Sequence, residues 1–120
     1  MKRRAHILID DCITGSYHLT GLEGLAAGCV VVNRVGHDPA MLHSFRRFAG
    51  GQRHNPFTYA DAATLDRVLT ALVRRGPESL AAQGRENRLW LEMNWDFSRQ
   101  WNHFRMPAID SAMRGPKPAA

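Results

Sequence analysis

Two short apolar runs, "HILID" at residues 6–10 and "CVVVN" at residues 29–33, constrain the fold of this chain more than any other feature. Both runs are rich in aliphatic and β-branched residues, which favours extended structure. Apolar side chains at nearly every position, rather than at alternate ones, are typical of strands in a sheet that is covered on both faces. The two runs therefore predict two buried parallel strands joined by a crossover helix.

The stretch between the runs, "ITGSYHLTGLEGLAAG", contains four glycines and one carboxylate. Thr20 and Glu23 match a capping box, which predicts a helix from Gly21 to near Gly28. Gly21, Gly24 and Gly28 recur at a helical spacing and therefore share one stripe of this helix. Each glycine inside a helix costs about 1 kcal/mol relative to alanine. The stripe therefore indicates a close approach of the helix to a sheet or a ligand.

The rest of the chain reads as helical, apart from an irregular stretch with one short strand in "GGQRHNPFTYA". Four further helices are predicted. Three lie at residues 39–48, with Asp38 or His37 as the cap, at residues 62–75, capped by Asp61, and at residues 77–94, starting at Pro77. Asp96 can cap the last one, in which Phe97, Trp101 and Phe104 share a face. This order predicts an α/β fold, a partial doubly wound parallel sheet flanked by helices, with a helical C-terminal end. Residues 15–20 and 33–38 should then be neighbours at the carboxyl edge of the sheet, where such folds bind ligands.

Composition limits the classes of function. The formal charge is +5 and the pI about 10.0, but the basic residues lie in separate segments without interleaved aromatics. Binding to nucleic acid is therefore the weaker alternative, and we expect none. No apolar run approaches the roughly 20 residues that span a bilayer, so no transmembrane segment is expected. Two cysteines are too few for a disulfide framework, and we expect a cytoplasmic protein.

A metal or other cofactor is not expected. The six histidines and two cysteines show none of the spacings typical of zinc sites. The glycine-rich stretch is neither a G-x-G-x-x-G fingerprint nor a P-loop. It does offer backbone N–H groups at the positive end of a helix dipole, which is a ready site for an anion. Glu23 has two possible roles there, to close the capping box or to accept hydrogen bonds from a vicinal diol such as a ribose.

The segment "DDCITGSYHLTGLEGLAAGCVVVNRVG" resembles the signature of GT-B type glycosyltransferases, which have two Rossmann-like domains, and among them the group 1/family 4-like enzymes. In that family a strand ending in Asp leads to a Gly/Tyr loop, then "LEAMAxGxPVV". Here Asp10, Gly15, Tyr17 and "LEGLAAG" stand at these places. The resemblance covers about residues 5–105. It implies that residues 1–106 form the C-terminal portion of a nucleotide-sugar-binding domain. Residues 107–120, which end in "RGPKPAA", are expected to be a disordered tail.

The resemblance also implies a donor site. Glu23 would bind the ribose of a nucleotide-diphosphate sugar, and the preceding loop backbone would approach its phosphates. The implied donor-binding residues are Glu23, Gly15, Ser16, Tyr17, His18, Leu19, Thr20, Gly21 and Leu22. Two departures from the family stand out, since Gly15 replaces the first acid of the commoner Glu-x7-Glu pattern and Val30 replaces a common proline. No residue can be assigned a catalytic role.

The family's acceptor-binding N-terminal domain and the first half of its donor domain have no counterpart in this sequence. The chain alone is therefore expected to have little or no transferase activity, and the missing domain or a partner chain would have to complete the site. Two alternatives remain open. The chain is a non-catalytic α/β module that binds a nucleotide or a protein, or it is a truncated remnant whose unpaired edge strand associates with a partner chain.

Overall fold

The computed structural model describes residues 5–14, 17–49, 55–95 and 97–115, with the backbone alone at residues 97, 99, 103 and 104. These residues form an α/β fold, a parallel sheet flanked by helices, which is a partial Rossmann-like architecture as predicted. The elements are β1 (Ile7–Ile9), α1 (Leu19–Ala26), β2 (Val30–Asn33), α2 (Pro39–Phe48), β3 (Thr58–Tyr59), α3 (Leu65–Arg75), α4 (Pro77–Asn94), α5 (Phe97–Gln100) and α6 (Met106–Met113), with a 3-10 turn at Val35–His37 and a π-helical segment at Trp101–Arg105.

The three described strands lie in the order β1-β2-β3, and both pairings are parallel. In register, Ile9 lies opposite Val32 and Val32 lies opposite Thr58. All four residues of β2 are buried, which confirms the prediction from "CVVVN". β3 is the short strand expected in the irregular stretch. The order and direction confirm the predicted β-α-β crossovers.

Side chains that alternate along β2 build two cores, one on each face of the sheet. On one face Val31 packs with residues of α1, α2 and α4. On the other face Val30 and Val32 pack with Leu72 of α3 and Leu80 of α4. Helices thus cover both faces, which explains why the strands have no polar alternation.

The glycine stripe of α1 brings this helix close to the sheet. A Cβ placed on Gly24 would lie 2.8 Å from Cγ2 of Val31 and 3.0 Å from Cδ2 of Leu8. The predicted close approach is therefore confirmed, and at Gly24 it is an approach to strands. Gly28 follows the helix with a φ of +78°, a conformation that glycine adopts without strain.

Helix α4 crosses the amino edge of the sheet, from one core to the other. A Cβ on Gly84 would collide with the carbonyl oxygen of Gly28, so α4 runs directly over the turn between α1 and β2. One turn further on, the buried Asn87 donates from Nδ2 to the carbonyl oxygen of Cys29 at 3.1 Å. This crossing joins α1, β2 and α4 into one packed unit.

Two helices begin and end as the sequence predicts, and a third starts later. The Asp38 carboxylate caps α2 by accepting from the N–H groups of Ala40 and Met41, each at 3.1 Å. The bounds of α4 are also as predicted. Asp61 accepts from the Thr64 N–H at 2.9 Å, and this turn precedes α3, which therefore starts at Leu65.

Residues 107–113 differ from the expected disordered tail. Residues 97–113, here named the terminal helix, are helical throughout, and α6 covers seven of the residues assigned to the tail. The prediction of disorder came from the composition of "RGPKPAA" at residues 114–120 and was wrongly applied to residues 107–113. The sequence "MPAIDSAM" contains helix formers and places Pro107 in the first turn of α6, where proline is tolerated. Gly115, with a φ of +74°, follows the helix end.

Candidate functional site

The carboxyl edge of the sheet brings together the two loops that the sequence placed there. The Arg34 N–H donates to the carbonyl oxygen of Asp11 at 2.9 Å, and the Arg34 guanidinium donates to the carbonyl oxygen of Ile13 at 2.9 Å. These two bonds tie the loop after β2 to the loop after β1. The predicted meeting of the two loops at one edge is thus confirmed through Asp11 and Ile13, which precede the predicted range of residues 15–20, while Gly15 and Ser16 lie outside the described residues.

Asp10, at the end of β1, caps α1 from a distance in sequence. Its Oδ2 accepts from the His18 N–H at 3.0 Å, and its Oδ1 lies 3.2 Å from Nδ1 of His18. The carboxylate is 4% exposed, whereas the His18 side chain is 52% exposed. A Cβ on Gly21 would lie 2.6 Å from Asp10 Oδ2. A side chain at position 21 would therefore collide with the Asp10 carboxylate, which explains the glycine there.

The predicted capping box is wrong. α1 begins at Leu19 with His18 as the N-cap, so Thr20 lies inside the helix and its side chain does not cap it. The tertiary cap from Asp10 starts the helix two residues earlier than the local pattern predicts. Glu23 accordingly lies in the second turn of α1. Of the two roles considered for Glu23, closing a capping box is therefore excluded.

A groove of about 1260 Å³ lies between α1, the end of α4 and the terminal helix. Five of the predicted donor-site residues line it, namely Tyr17, His18, Leu19, Leu22 and Glu23. The other two described residues do not, since Thr20 is exposed elsewhere on α1 and Gly21 is buried. The remaining lining comes from Ala26, Phe48, Leu91, Trp95, Gln100, Trp101, Arg105, Ala108, Ile109 and Ala112.

The groove is apolar along its walls and has a few polar groups. Leu19 is 71% exposed, Trp101 39% and Ile109 42%. The ionisable residues of the lining are Glu23, His18, Arg105 and the phenol of Tyr17. Such a combination, apolar walls with a small number of placed polar groups, is typical of small-molecule sites. The sequence predicted a helix after Asp96 but not that it would form a wall of the groove, because a tertiary contact of this kind has no local signature.

Tyr17 has a packing role as well as a place in the lining. Its ring contacts those of Phe45, Trp95 and Phe57, with centroids 4.9, 5.8 and 6.3 Å away. Burial raises the pKa of the Tyr17 phenol above its usual range. This residue therefore anchors the loop between β1 and α1 onto the aromatic part of the core, and stays un-ionised at neutral pH.

Other acidic residues at this edge stabilise turns. The Thr14 hydroxyl donates to Asp11, and with the N–H groups of Ile13 and Thr14 it lowers the pKa of Asp11 to about 2. The Thr64 hydroxyl and N–H lower the pKa of Asp61 in the same way. Cys12 is buried, and burial raises the pKa of its thiol, so it remains protonated rather than nucleophilic.

Asn33, at the end of β2, is a polar residue that the sequence analysis did not single out. It is fully buried, and its Oδ1 accepts from the Val35 N–H at 3.2 Å. Its Nδ2 has no hydrogen-bond partner within the described ranges. The signal for it was present, since Asn33 is the polar last residue of an otherwise apolar run.

Within residues 5–14, 17–49, 55–95 and 97–115, no three His, Cys, Asp or Glu side chains come together in a way that would hold a metal ion. In the same ranges no helix has the length and apolar character needed to cross a membrane.

The fold and the edge define a partial Rossmann-like α/β domain with a groove beside its first helix. No family model matches the chain, and no curated protein or solved structure is significantly similar to it. The glycosyltransferase resemblance thus depends on the motif around Glu23.

Proposed function

We propose that this chain is the C-terminal portion of the nucleotide-sugar-binding domain of a GT-B type glycosyltransferase, and that its groove is part of the donor site. The observation that supports this is the position of Glu23, which stands on the groove side of α1 near the carboxyl edge of a parallel sheet. Glycosyl transfer from an activated donor to an acceptor hydroxyl is the reaction of which it would be part.

In this proposal the Glu23 carboxylate accepts hydrogen bonds from the two hydroxyls of the donor ribose. Hydrogen bonds to an ionised acceptor are stronger than neutral ones, so one carboxylate suffices to orient the sugar. The apolar walls from Leu19 and Trp101 would contact the rest of the nucleoside, with the indole as a stacking surface. Donor binding then takes place beside α1 rather than at its first turn.

The diphosphate needs positive charge that this chain does not concentrate at the start of α1. Asp10 already lies there, and its carboxylate would repel phosphate oxygens. His18, paired with that carboxylate, and Arg105, on the far wall, are the nearest basic residues of the groove. We therefore expect further basic groups from the missing domain or a partner chain. The 120-residue chain alone should transfer no sugar at a measurable rate.

The test is a titration of the purified chain with nucleoside diphosphates, with binding monitored by NMR. Uridine, guanosine and adenosine diphosphates should shift amide resonances of α1 and the terminal helix in a saturable way. With half of the site absent, we expect dissociation constants in the millimolar range. Glu23→Gln should weaken binding about tenfold, because it removes a charged acceptor.

The matched control is Glu78→Gln, an exposed glutamate in the first turn of α4 outside the groove. It makes the same change in charge and should leave the dissociation constant unchanged. Equal effects of the two variants would contradict the proposal, because only the net charge would then matter. Robust donor-dependent glycosyl transfer by the isolated chain would contradict the expected need for a completing partner.

A second candidate is an α/β module without catalysis that is completed by a partner chain. The observation that favours it is β1, which pairs with a neighbouring strand on one side only among the described residues. Ile9 in this strand is 45% exposed. Absence of nucleotide binding together with self-association or capture of a strand would favour this candidate over the first.

A further inference from the structure

The outer edge of β1 carries main-chain groups that no described strand pairs with. The Asp10 N–H donates to Val32 at 2.9 Å, and the His6 carbonyl accepts from Val30 at 2.8 Å, so the even-numbered residues of this segment bond to β2. In a parallel ladder the main-chain groups of successive residues point alternately to either side. The N–H and C=O groups of Ile7 and Ile9 therefore point away from the sheet.

β1 has only three residues, and this shortness itself limits strand association, but the strand lacks other features that normally prevent it. Natural edge strands are protected by charged side chains, prolines, bulges or covering loops. The sequence of β1 is Ile-Leu-Ile, which contains no charged residue and no proline, and no described strand covers its outer edge. Within the strand, the Ile9 side chain is 45% exposed. The edge thus combines unpaired hydrogen-bonding groups with exposed apolar surface.

From this edge we infer that a second copy of the chain pairs with β1 in an antiparallel arrangement, about a two-fold axis that passes beside Leu8. Ile7 of one copy then lies opposite Ile9 of the other, and each such pair exchanges two main-chain hydrogen bonds. The two Leu8 residues form the closer, non-hydrogen-bonded pair between them. Two sheets of three strands become one continuous sheet of six.

A second copy of the chain suits the outer edge of β1 for a reason of symmetry. A two-fold interface must be self-complementary, so each residue has to suit its symmetry partner. Because isoleucine stands on both sides of Leu8, every outward-facing group of β1 finds a counterpart and every cross-strand pair is apolar. The inference is independent of the proposed donor site, which lies on α1 and the terminal helix.

The first test is sedimentation velocity across a concentration series, with the Ile9→Pro variant beside the unchanged chain. The unchanged chain should reach twice its mass of 13.5 kDa. Proline at position 9 removes an N–H that does not bond to β2, a position where edge strands tolerate it. Two of the four intermolecular bonds disappear, so the dissociation constant should rise about tenfold or more while the circular dichroism spectrum stays the same.

Ile13→Ser is the matched control, since it removes exposed apolar surface next to β1 without changing the strand. It should leave the dissociation constant within about twofold. A chain that is monomeric at about 100 µM would overturn the inference and leave β1 to a strand from another polypeptide. An Ile9→Pro variant that is folded and still dimeric would also overturn it, as would a dimer that is lost only on Leu19→Ser, in the groove.

Amide hydrogen exchange on the unchanged chain avoids any dependence on a variant that fails to fold. The amides of Ile7 and Ile9 should exchange more slowly as the protein concentration rises. The amide of Asp10, which bonds to β2, should be protected to the same extent at every concentration. Exchange at Ile7 and Ile9 that does not depend on concentration would overturn the inference.

Discussion

The two sides of the α1–α4 pair differ in how closely they pack. At the amino edge of the sheet, Gly84 of α4 lies against Gly28 with no room for a Cβ, and Asn87 bonds to a strand carbonyl. On the groove side, Leu19 is 71% exposed, Ile109 is 42% exposed, and a volume of about 1260 Å³ remains open. The comparison indicates that the amino edge carries stability and that the groove side is available for binding. Substitutions on the two sides should therefore have different consequences.

At the amino edge of the sheet, the largest expected effect is that of Gly84→Ala. Alanine is the better helix former by about 1 kcal/mol, so helix propensity alone predicts a more stable protein. The new Cβ would collide with the Gly28 carbonyl, and backbone cannot move aside as a flexible side chain would. Overpacking typically costs about 1–3 kcal/mol, and a collision with backbone falls at the upper end of this range. After the gain of about 1 kcal/mol in helix propensity, we expect a net loss of about 2 kcal/mol in the free energy of unfolding. Urea denaturation monitored by circular dichroism measures it.

Ala82→Gly is the control for the propensity contribution. Ala82 is exposed on the same helix, two residues before Gly84, and the reverse substitution there should cost about 1 kcal/mol. A Gly84→Ala chain as stable as the unchanged one, or more stable, would contradict the close crossing of α4 over the turn that precedes β2.

Gly84 also shows what the sequence could not predict. In isolation it appears as a weak point within a helix, because the residue that excludes its Cβ is more than fifty positions away. The bounds of α2 were predictable because Asp38 and Pro39 are local signals that need no tertiary partner. The apolar runs likewise predicted β1 and β2, since burial on both faces leaves a continuous pattern.

The prediction of where α1 starts was wrong for the same physical reason that the close packing of Gly84 was not predicted, namely a partner distant in sequence. The sequence pointed to Thr20 as the cap, but the helix starts after His18, whose N–H donates to the carboxylate of Asp10. The groove was predictable in part, because the motif placed Glu23 and its neighbours at one edge. Its second wall was not, since residues 107–113 were assigned to a tail and form helix instead.

A smaller effect on the free energy of unfolding, and one that depends on pH, is expected for Thr14→Ala at the carboxyl edge of the sheet. The Thr14 hydroxyl is the largest cause of the lowered pKa of Asp11, which is about 2 instead of 3.8. A carboxyl group with a lowered folded-state pKa stabilises the protein above its unfolded-state pKa, and this contribution is lost as the pH falls through the folded-state value. Stability measured by urea denaturation should therefore differ between the two chains near neutral pH.

The difference between the unchanged chain and Thr14→Ala should shrink as the pH falls from about 4 to about 2, because Asp11 becomes protonated in both. Thr70→Ala, at an exposed position in the middle of α3, serves as the control and should show no such dependence. A difference that is constant over this range would mean that Thr14 acts through packing and not through the Asp11 carboxylate.

The smallest effect on stability is expected on the groove wall, at Leu19. Leu19 and Leu25 belong to the same short helix, but Leu19 is 71% exposed and Leu25 is fully buried. Leu25→Ala should cost about 3 kcal/mol, as buried leucines do, whereas Leu19→Ser should change the free energy of unfolding by less than about 0.5 kcal/mol. If the groove binds a nucleoside diphosphate, Leu19→Ser should nevertheless weaken that binding, as measured by NMR titration. A loss of stability at Leu19 comparable to that at Leu25 would show that the groove wall is part of the core, and the two sides of the α1–α4 pair would then not differ in the way the exposures indicate.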